Sequence, residues 1–101
     1  MKAGDNVLQL DDREIRARLG TLRAQLEALR AALHTDRVLH ADAADQLTRA
    51  EKLARDRVIS DEEKKRREFA VQLAETRVGK TEADIAAMDA QLRQVQTELD
   101  I

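Results

Sequence analysis

The sequence lacks the residues from which most compact cores and many chemical sites are built. It contains no cysteine, no proline, no tryptophan and no tyrosine, and its one phenylalanine is Phe69. The absence of cysteine excludes disulfides and thiolate sites. With 38% charged residues and 43% apolar residues in a chain of 101, the composition is typical of a long helix or coiled coil rather than of a globular core.

Charge and hydropathy exclude several functional classes. The 18 basic and 20 acidic residues are interspersed and no basic stripe alternates with aromatics, so nothing predicts a nucleic-acid partner. We find no signal peptide, no apolar run long enough to cross a bilayer and no glycine-rich phosphate loop. His34 and His40 lie six residues apart and face different sides of a helix, which argues against a metal site. The sequence therefore predicts a protein that is not an enzyme and that needs no cofactor.

Two apolar seams with heptad spacing predict two paired helices. The first seam comprises Ile15, Leu19, Leu22, Leu26, Leu29 and Leu33, and continues in the same frame through Asp36, His40, Ala43, Leu47, Ala50 and Ala54. The second comprises Val71, Ala74, Val78, Thr81, Ile85, Met88, Leu92, Val95 and Leu99. If the chain folds back at Ile59, the two seams come into register, with Leu26 opposite Leu92. The predicted fold is all-α, an antiparallel two-helix coiled-coil hairpin.

The expected boundaries follow from the capping and turn residues. Ser60 followed by Glu63 predicts a capping box, in which the Ser60 hydroxyl accepts from the Glu63 amide and the Glu63 carboxylate returns to the Ser60 amide. The turn residues Gly4-Asp5-Asn6 and the strand-like run at 7–10 predict a short non-helical segment at the N-terminus. The expected segments are residues 1–11 as this non-helical part, 12–57 as helix 1, 57–61 as the tip turn and 61–100 as helix 2.

A polar layer interrupts the seam in mid-helix. Asp36, His40 and Thr81 occupy seam positions, and Gly79 beside them would permit a close approach of the helices or a bend. The layer is either a device that sets the register, a hinge, or a weak layer that a long coiled coil tolerates.

Several apolar residues lie off the seam near the predicted turn. They are Leu53, Val58, Ile59, Phe69 and Leu73. They are either scattered surface apolar residues, which are common, or an interface for another molecule. Their concentration at one end of the hairpin favours an interface.

The residues at this end also match a known motif. Arg49, Leu53 and Ser60 have the spacing R-x3-L-x6-S at the turn of a helical hairpin. This pattern resembles the tip motif of HlyD-type periplasmic adaptor proteins, also called membrane fusion proteins. Residues 2–11 resemble the strand that closes the first half of the family's split lipoyl domain, and residues 96–101 resemble the return to its second half.

The resemblance implies a binding role in the periplasm of a Gram-negative bacterium. Such adaptors are anchored to the inner membrane, assemble as hexamers with neighbouring protomers, and link an inner-membrane ABC or RND transporter to a TolC-like outer-membrane channel. By this resemblance Arg49 makes polar contacts to the channel, Leu53 fills a groove between channel helices, and Ser60 both caps helix 2 and bonds across the junction. The expected flanking contacts are Val58, Ile59, Phe69 and Leu73. The family's anchor, barrel and pump-docking parts have no counterpart in this sequence.

Two other functions are compatible with a helical hairpin. The first is a generic coiled-coil interaction or tethering domain, in which the tip sequence is accidental and damage follows seam residues such as Leu26 and Leu92. The second is a helical arm that grips RNA, which the near-neutral charge and the scarcity of aromatics disfavour.

Overall fold

Two long helices make up the chain in a computed structural model. It describes the backbone of residues 2–100 and the side chains of residues 12–100. Helix α1 spans Lys2–Arg55 and helix α2 spans Asp61–Asp100. They form an antiparallel helical hairpin, which confirms the predicted fold class. The contacts divide it into a terminal unit, Met1–Arg30 with Asp84–Ile101, and a turn unit, Ala31–Ala83.

The predicted non-helical segment at the N-terminus is wrong, because α1 already begins at Lys2. Met1 and Ile101 lie outside the described residues. An isolated strand has no partner for its backbone groups, whereas each residue added to an existing helix gains one hydrogen bond. This gain outweighs the weak turn preference of the residues around Gly4. The resemblance of this segment to a lipoyl strand therefore has no support from its secondary structure.

The predicted seams are confirmed in both units. Every seam residue from Ile15 to Ala54 and from Val71 to Leu99 is buried or half-buried. In the terminal unit Leu19, Leu26 and Val95 are buried, and a salt bridge of 3.7 Å joins Arg18 to Glu98 beside them. In the turn unit the buried seam residues are Ala50 and Thr81. The core is one side chain thick, as expected when each helix buries a single stripe.

The polar layer lies within the turn unit and contains a hydrogen bond between the helices. The Thr81 hydroxyl, on a residue only 9% exposed, donates to Asp36 Oδ2 at 2.6 Å. His40 Nε2 is buried without a hydrogen-bond partner and lies 3.5 Å from Glu75 Oε1 at the edge of the seam. Asp36 and Thr81 therefore satisfy one another, and His40 turns toward an acidic group outside the seam.

Gly79 does not mark a close approach of the two helices. A Cβ atom built at this residue meets no atom within 4 Å, and the helix continues through it without interruption. The expected packing role of Gly79 is therefore wrong. Gly79 lies at an exposed heptad position, so it has no packing function there.

We expect the Thr81→Val substitution to lower the free energy of unfolding by about 1–2 kcal/mol, because it removes the donor of a charge-assisted bond and leaves Asp36 half-buried. Replacing both partners, in Asp36→Leu/Thr81→Val, should restore the free energy of unfolding, since no polar group is then left unpaired. Urea denaturation followed by circular dichroism measures both effects. Equal stability of Thr81→Val and the natural chain would show that water replaces the hydroxyl.

We expect Gly79→Ala to raise the free energy of unfolding by about 1 kcal/mol, because alanine restricts the unfolded chain and the site has room for its methyl group. Gly20→Ala is the matched control in the terminal unit, since Gly20 is equally unobstructed. Thermal denaturation of the two variants provides the measurement. A destabilised Gly79→Ala beside a stabilised Gly20→Ala would indicate a hinge at Gly79.

Candidate partner-binding tip

The reversal of the chain at residues 56–60 is built from backbone hydrogen bonds. The Val58 amide donates to the Leu53 carbonyl at 2.8 Å, and the Arg57 amide donates to the Ala54 carbonyl at 3.1 Å. This pair of bonds is a Schellman motif, which satisfies the last carbonyl groups of α1. The motif requires one residue in the left-handed helical conformation, and Arg57 adopts this conformation with φ of 59°. Residue 57 therefore stops α1 even though it is not glycine.

Ser60 starts the returning helix. Its hydroxyl oxygen accepts from the Glu63 amide at 3.1 Å, and its carbonyl accepts from the Lys64 amide at 3.2 Å. This confirms the hydroxyl half of the predicted capping box. The Glu63 carboxylate lies 3.3 Å from the Arg67 guanidinium and 3.7 Å from that of Arg66. The acidic first turn of α2, Asp61 to Glu63, also complements the helix dipole.

Two of the three motif residues line a single groove at the tip. This tip groove, of about 340 Å³, is open to solvent and is lined by Asp42, Gln46, Arg49, Ala50, Leu53, Ile59, Glu63 and Arg67. Arg49 and Leu53 are one helical turn apart on α1, so both reach the same side of it. Ile59 closes the end of the groove at the turn. An apolar floor with charged walls suits a partner that presents one apolar side chain among polar ones.

A polar link across the two helices sets one wall of the tip groove. Arg67 of α2 donates to Gln46 Oε1 of α1, and Gln46 Nε2 donates to Asp42 Oδ2 at 2.8 Å. Arg67 also faces Glu63 on its own helix. Because each of these side chains has a partner, the wall is held in one arrangement. Arg49, by contrast, has no acidic group within 4.0 Å among residues 12–100, and its cation is available to a partner.

The other predicted contact residues are distributed around this groove. Leu53 is 38% exposed, Ser60 is exposed, and Val58 and Phe69 are the most exposed large apolar residues of the described chain. Ser60, Val58 and Phe69 are not part of the groove lining. Leu73 lies in a separate groove. The structure thus brings Arg49, Leu53 and Ile59 together, and leaves the remaining predicted contacts beside them.

Sequence inspection missed the second groove of the turn unit. This side groove, of about 220 Å³, is lined by Asp36, Leu39, Ala43, Ala70, Leu73, Ala74 and Arg77. Leu39 is 48% exposed, and its distance along the chain from the turn sets it apart from the predicted contact residues. The signal that would have found it is its heptad position, which is the same as that of Leu53 two heptads later.

The described part of the chain offers neither a metal site nor a membrane span. Residues 12–100 contain no group of three or more histidine, aspartate or glutamate side chains placed to hold a metal ion. Neither helix has, over the residues searched, an apolar stretch sufficient to cross a bilayer. Comparison with known proteins found no matching family model, no similar curated protein and no similar solved structure.

We expect Arg57→Gly to raise the free energy of unfolding by about 1 kcal/mol, because glycine adopts positive φ without the steric cost that arginine bears. Arg55→Gly is the control. Because residue 55 is helical, glycine there should lower the free energy of unfolding by about the same amount. Urea denaturation of both variants gives the comparison. If Arg57→Gly lowered the free energy of unfolding as Arg55→Gly does, a left-handed conformation at residue 57 would be ruled out.

Proposed function

We propose that this hairpin is a structural and binding module of a HlyD-type periplasmic adaptor, and that its tip docks on a TolC-like outer-membrane channel. In this role the module bridges the channel to an inner-membrane ABC or RND transporter, beside neighbouring adaptor protomers in the periplasm of a Gram-negative bacterium. The observation that carries the proposal is the shared groove of Arg49 and Leu53 at the chain reversal. Their spacing with Ser60 is that of the adaptor tip motif.

The exposure of Leu53 supports a docking role. The seam leucines are buried or half-buried, whereas Leu53 is 38% exposed and lines an open groove. Its own carbonyl is engaged by the Val58 amide, so the backbone beneath the side chain is held by the turn. A partner helix end that covers Leu53 gains the free energy of burying an apolar side chain, of the order of 2 kcal/mol. Val58 and Ile59 extend this apolar surface across the turn.

Arg49 and Ser60 would supply the polar part of the contact. Arg49 has no acidic partner within 4.0 Å in the described chain, so docking need not break an existing ion pair. The Ser60 oxygen already accepts from the Glu63 amide, while its O–H can donate to an acceptor on the channel. Each contact is weak by itself, but several adaptors in one ring would act together.

The alternative is a generic coiled-coil tether in which the tip has no channel partner. One observation favours it: capping of α2 accounts for Ser60 without any docking role. The two functions differ in the residues that matter. A tether depends on the buried seam, for example Leu26, and tolerates changes at the tip.

The decisive experiment is co-purification of the TolC-like channel with the protein expressed in its native host. We expect Leu53→Asp to lower recovery of the channel at least tenfold, because the loss of a central apolar contact costs about 2 kcal/mol or more. Val38→Asp is the control, since Val38 is 54% exposed and lines neither groove. Circular dichroism verifies that both variants remain helical. Equal recovery with Leu53→Asp would refute docking through the tip.

Substitutions of Ser60 separate capping from docking. Ser60→Ala removes the cap, whereas Ser60→Asp retains it because aspartate is an equally good N-cap residue. If Ser60 contacts the channel, both variants lower channel recovery; if it only caps α2, Ser60→Asp behaves as the natural chain. This comparison tests the role of Ser60 independently of Leu53.

A further inference from the structure

One side chain of the tip groove, that of Arg67, has partners on both helices. Its Nη1 donates to Gln46 Oε1 on α1, and its Nη2 lies 3.3 Å from Glu63 Oε1 on α2. A guanidinium can hold two partners at once because its five N–H groups form a rigid planar fork. Arg67 therefore ties the two walls of the tip groove together.

The two acids that line the tip groove are both engaged through this arrangement. Glu63 faces Arg67, and Asp42 Oδ2 accepts from Gln46 Nε2 at 2.8 Å. Gln46 presents its Nε2 to Asp42 because its Oε1 is held by Arg67. Each acid of the groove lining thus has a donor within the chain.

Arg49 belongs to the same lining but takes no part in these contacts. It is not paired with either acid of its own groove, Asp42 or Glu63. A carboxylate that lacks a donor attracts a guanidinium, and the attraction is stronger where groove walls exclude part of the water. The freedom of Arg49 to bind a partner therefore depends on what occupies these two acids.

We infer that Arg67 is a positioning residue for docking: by occupying Glu63 and holding Gln46 against Asp42, it leaves the Arg49 guanidinium free for an oxygen acceptor on the channel. This inference rests on the proposed docking of the tip and adds to it a residue outside the R-x3-L-x6-S spacing. Without Arg67, the Glu63 carboxylate pairs with Arg49 across the groove, and docking must first break that pair. Arg67 acts through Arg49 and needs no contact with the channel itself.

The neighbouring Arg66 has the same charge but a different position. It lies 3.7 Å from the second Glu63 oxygen, Oε2, yet its side chain is 75% exposed and does not line the tip groove. Consecutive residues of a helix point about 100° apart, so Arg66 approaches Glu63 from outside the groove. Arg67 instead holds Oε1 and reaches the opposite helix. Arg66 is therefore a matched control for the charge of Arg67.

Co-purification of the TolC-like channel from the native host tests the inference. We expect Arg67→Met to lower recovery of the channel about fivefold, because the Arg49–Glu63 pair that then forms has to be broken before docking. Methionine is about as good a helix former as arginine but has no donor. Arg66→Met should recover as much channel as the natural chain. Equal recovery with Arg67→Met and Arg66→Met would overturn the inference.

A second substitution distinguishes positioning from a general loss of structure. Glu63→Gln removes the competing carboxylate but keeps the backbone amide that donates to Ser60. In the Arg67→Met background it should return channel recovery to within about twofold of the natural chain, because Arg49 is free again. Circular dichroism verifies that both variants are helical. If Arg67 merely supported the fold, or touched the channel itself, Glu63→Gln would restore nothing, and that result would contradict the inference.

The result with Leu53→Asp separates this inference from the docking proposal. If Leu53→Asp lowers channel recovery and Arg67→Met does not, the tip docks but Arg67 does not position Arg49. If Leu53→Asp leaves recovery unchanged, docking through the tip is refuted, and the role of Arg67 is refuted with it.

Discussion

The structure depends on how the backbone groups are satisfied where the chain reverses. A helix as long as α1 ends with carbonyl groups that have no partner within the helix, and α2 begins with amides in the same condition. The Schellman bonds at Arg57 and Val58 satisfy the first set, and the Ser60 hydroxyl contributes to the second. These bonds complete the reversal within residues 56–60 and so place the two seams against each other. A looser turn would leave their register to the side chains alone.

The thinness of the core has a consequence for function. Each helix buries one stripe, so the greater part of its circumference remains at the surface, and the two grooves of the turn unit are open to solvent. What distinguishes one such hairpin from another is therefore the chemistry of its outward-facing residues. Every large apolar residue found exposed among residues 12–100 lies in the turn unit. This uneven distribution points to the turn unit as the part that meets partners.

The tip groove and the side groove present different side chains at that surface. At the tip an exposed leucine and an arginine without an ionic partner flank the reversal, which suits docking end-on against a larger helical assembly. Further along, Leu39 and Leu73 are exposed beside the alanines of the side groove. The link between Arg67 and Gln46 forms part of the wall of the tip groove. Because it joins the two helices, it connects the α1 side of that groove to the α2 side.

The sequence by itself determined the fold class, the seam residues from Ile15 to Leu99 and Ser60 as the N-cap of α2, because burial periodicity and capping are local properties. It misassigned the N-terminal segment, where turn residues near Gly4 were outweighed by the gain from extending an existing helix. It also gave Gly79 a packing role that the position does not have. Tertiary structure alone decided which off-seam residues share a surface: Leu53 joins Arg49 and Ile59, while Leu73 joins Leu39 from the opposite helix. The physical reason is that these groups come from both helices, and their meeting depends on the rotation of each helix about its axis, which no single-helix period specifies.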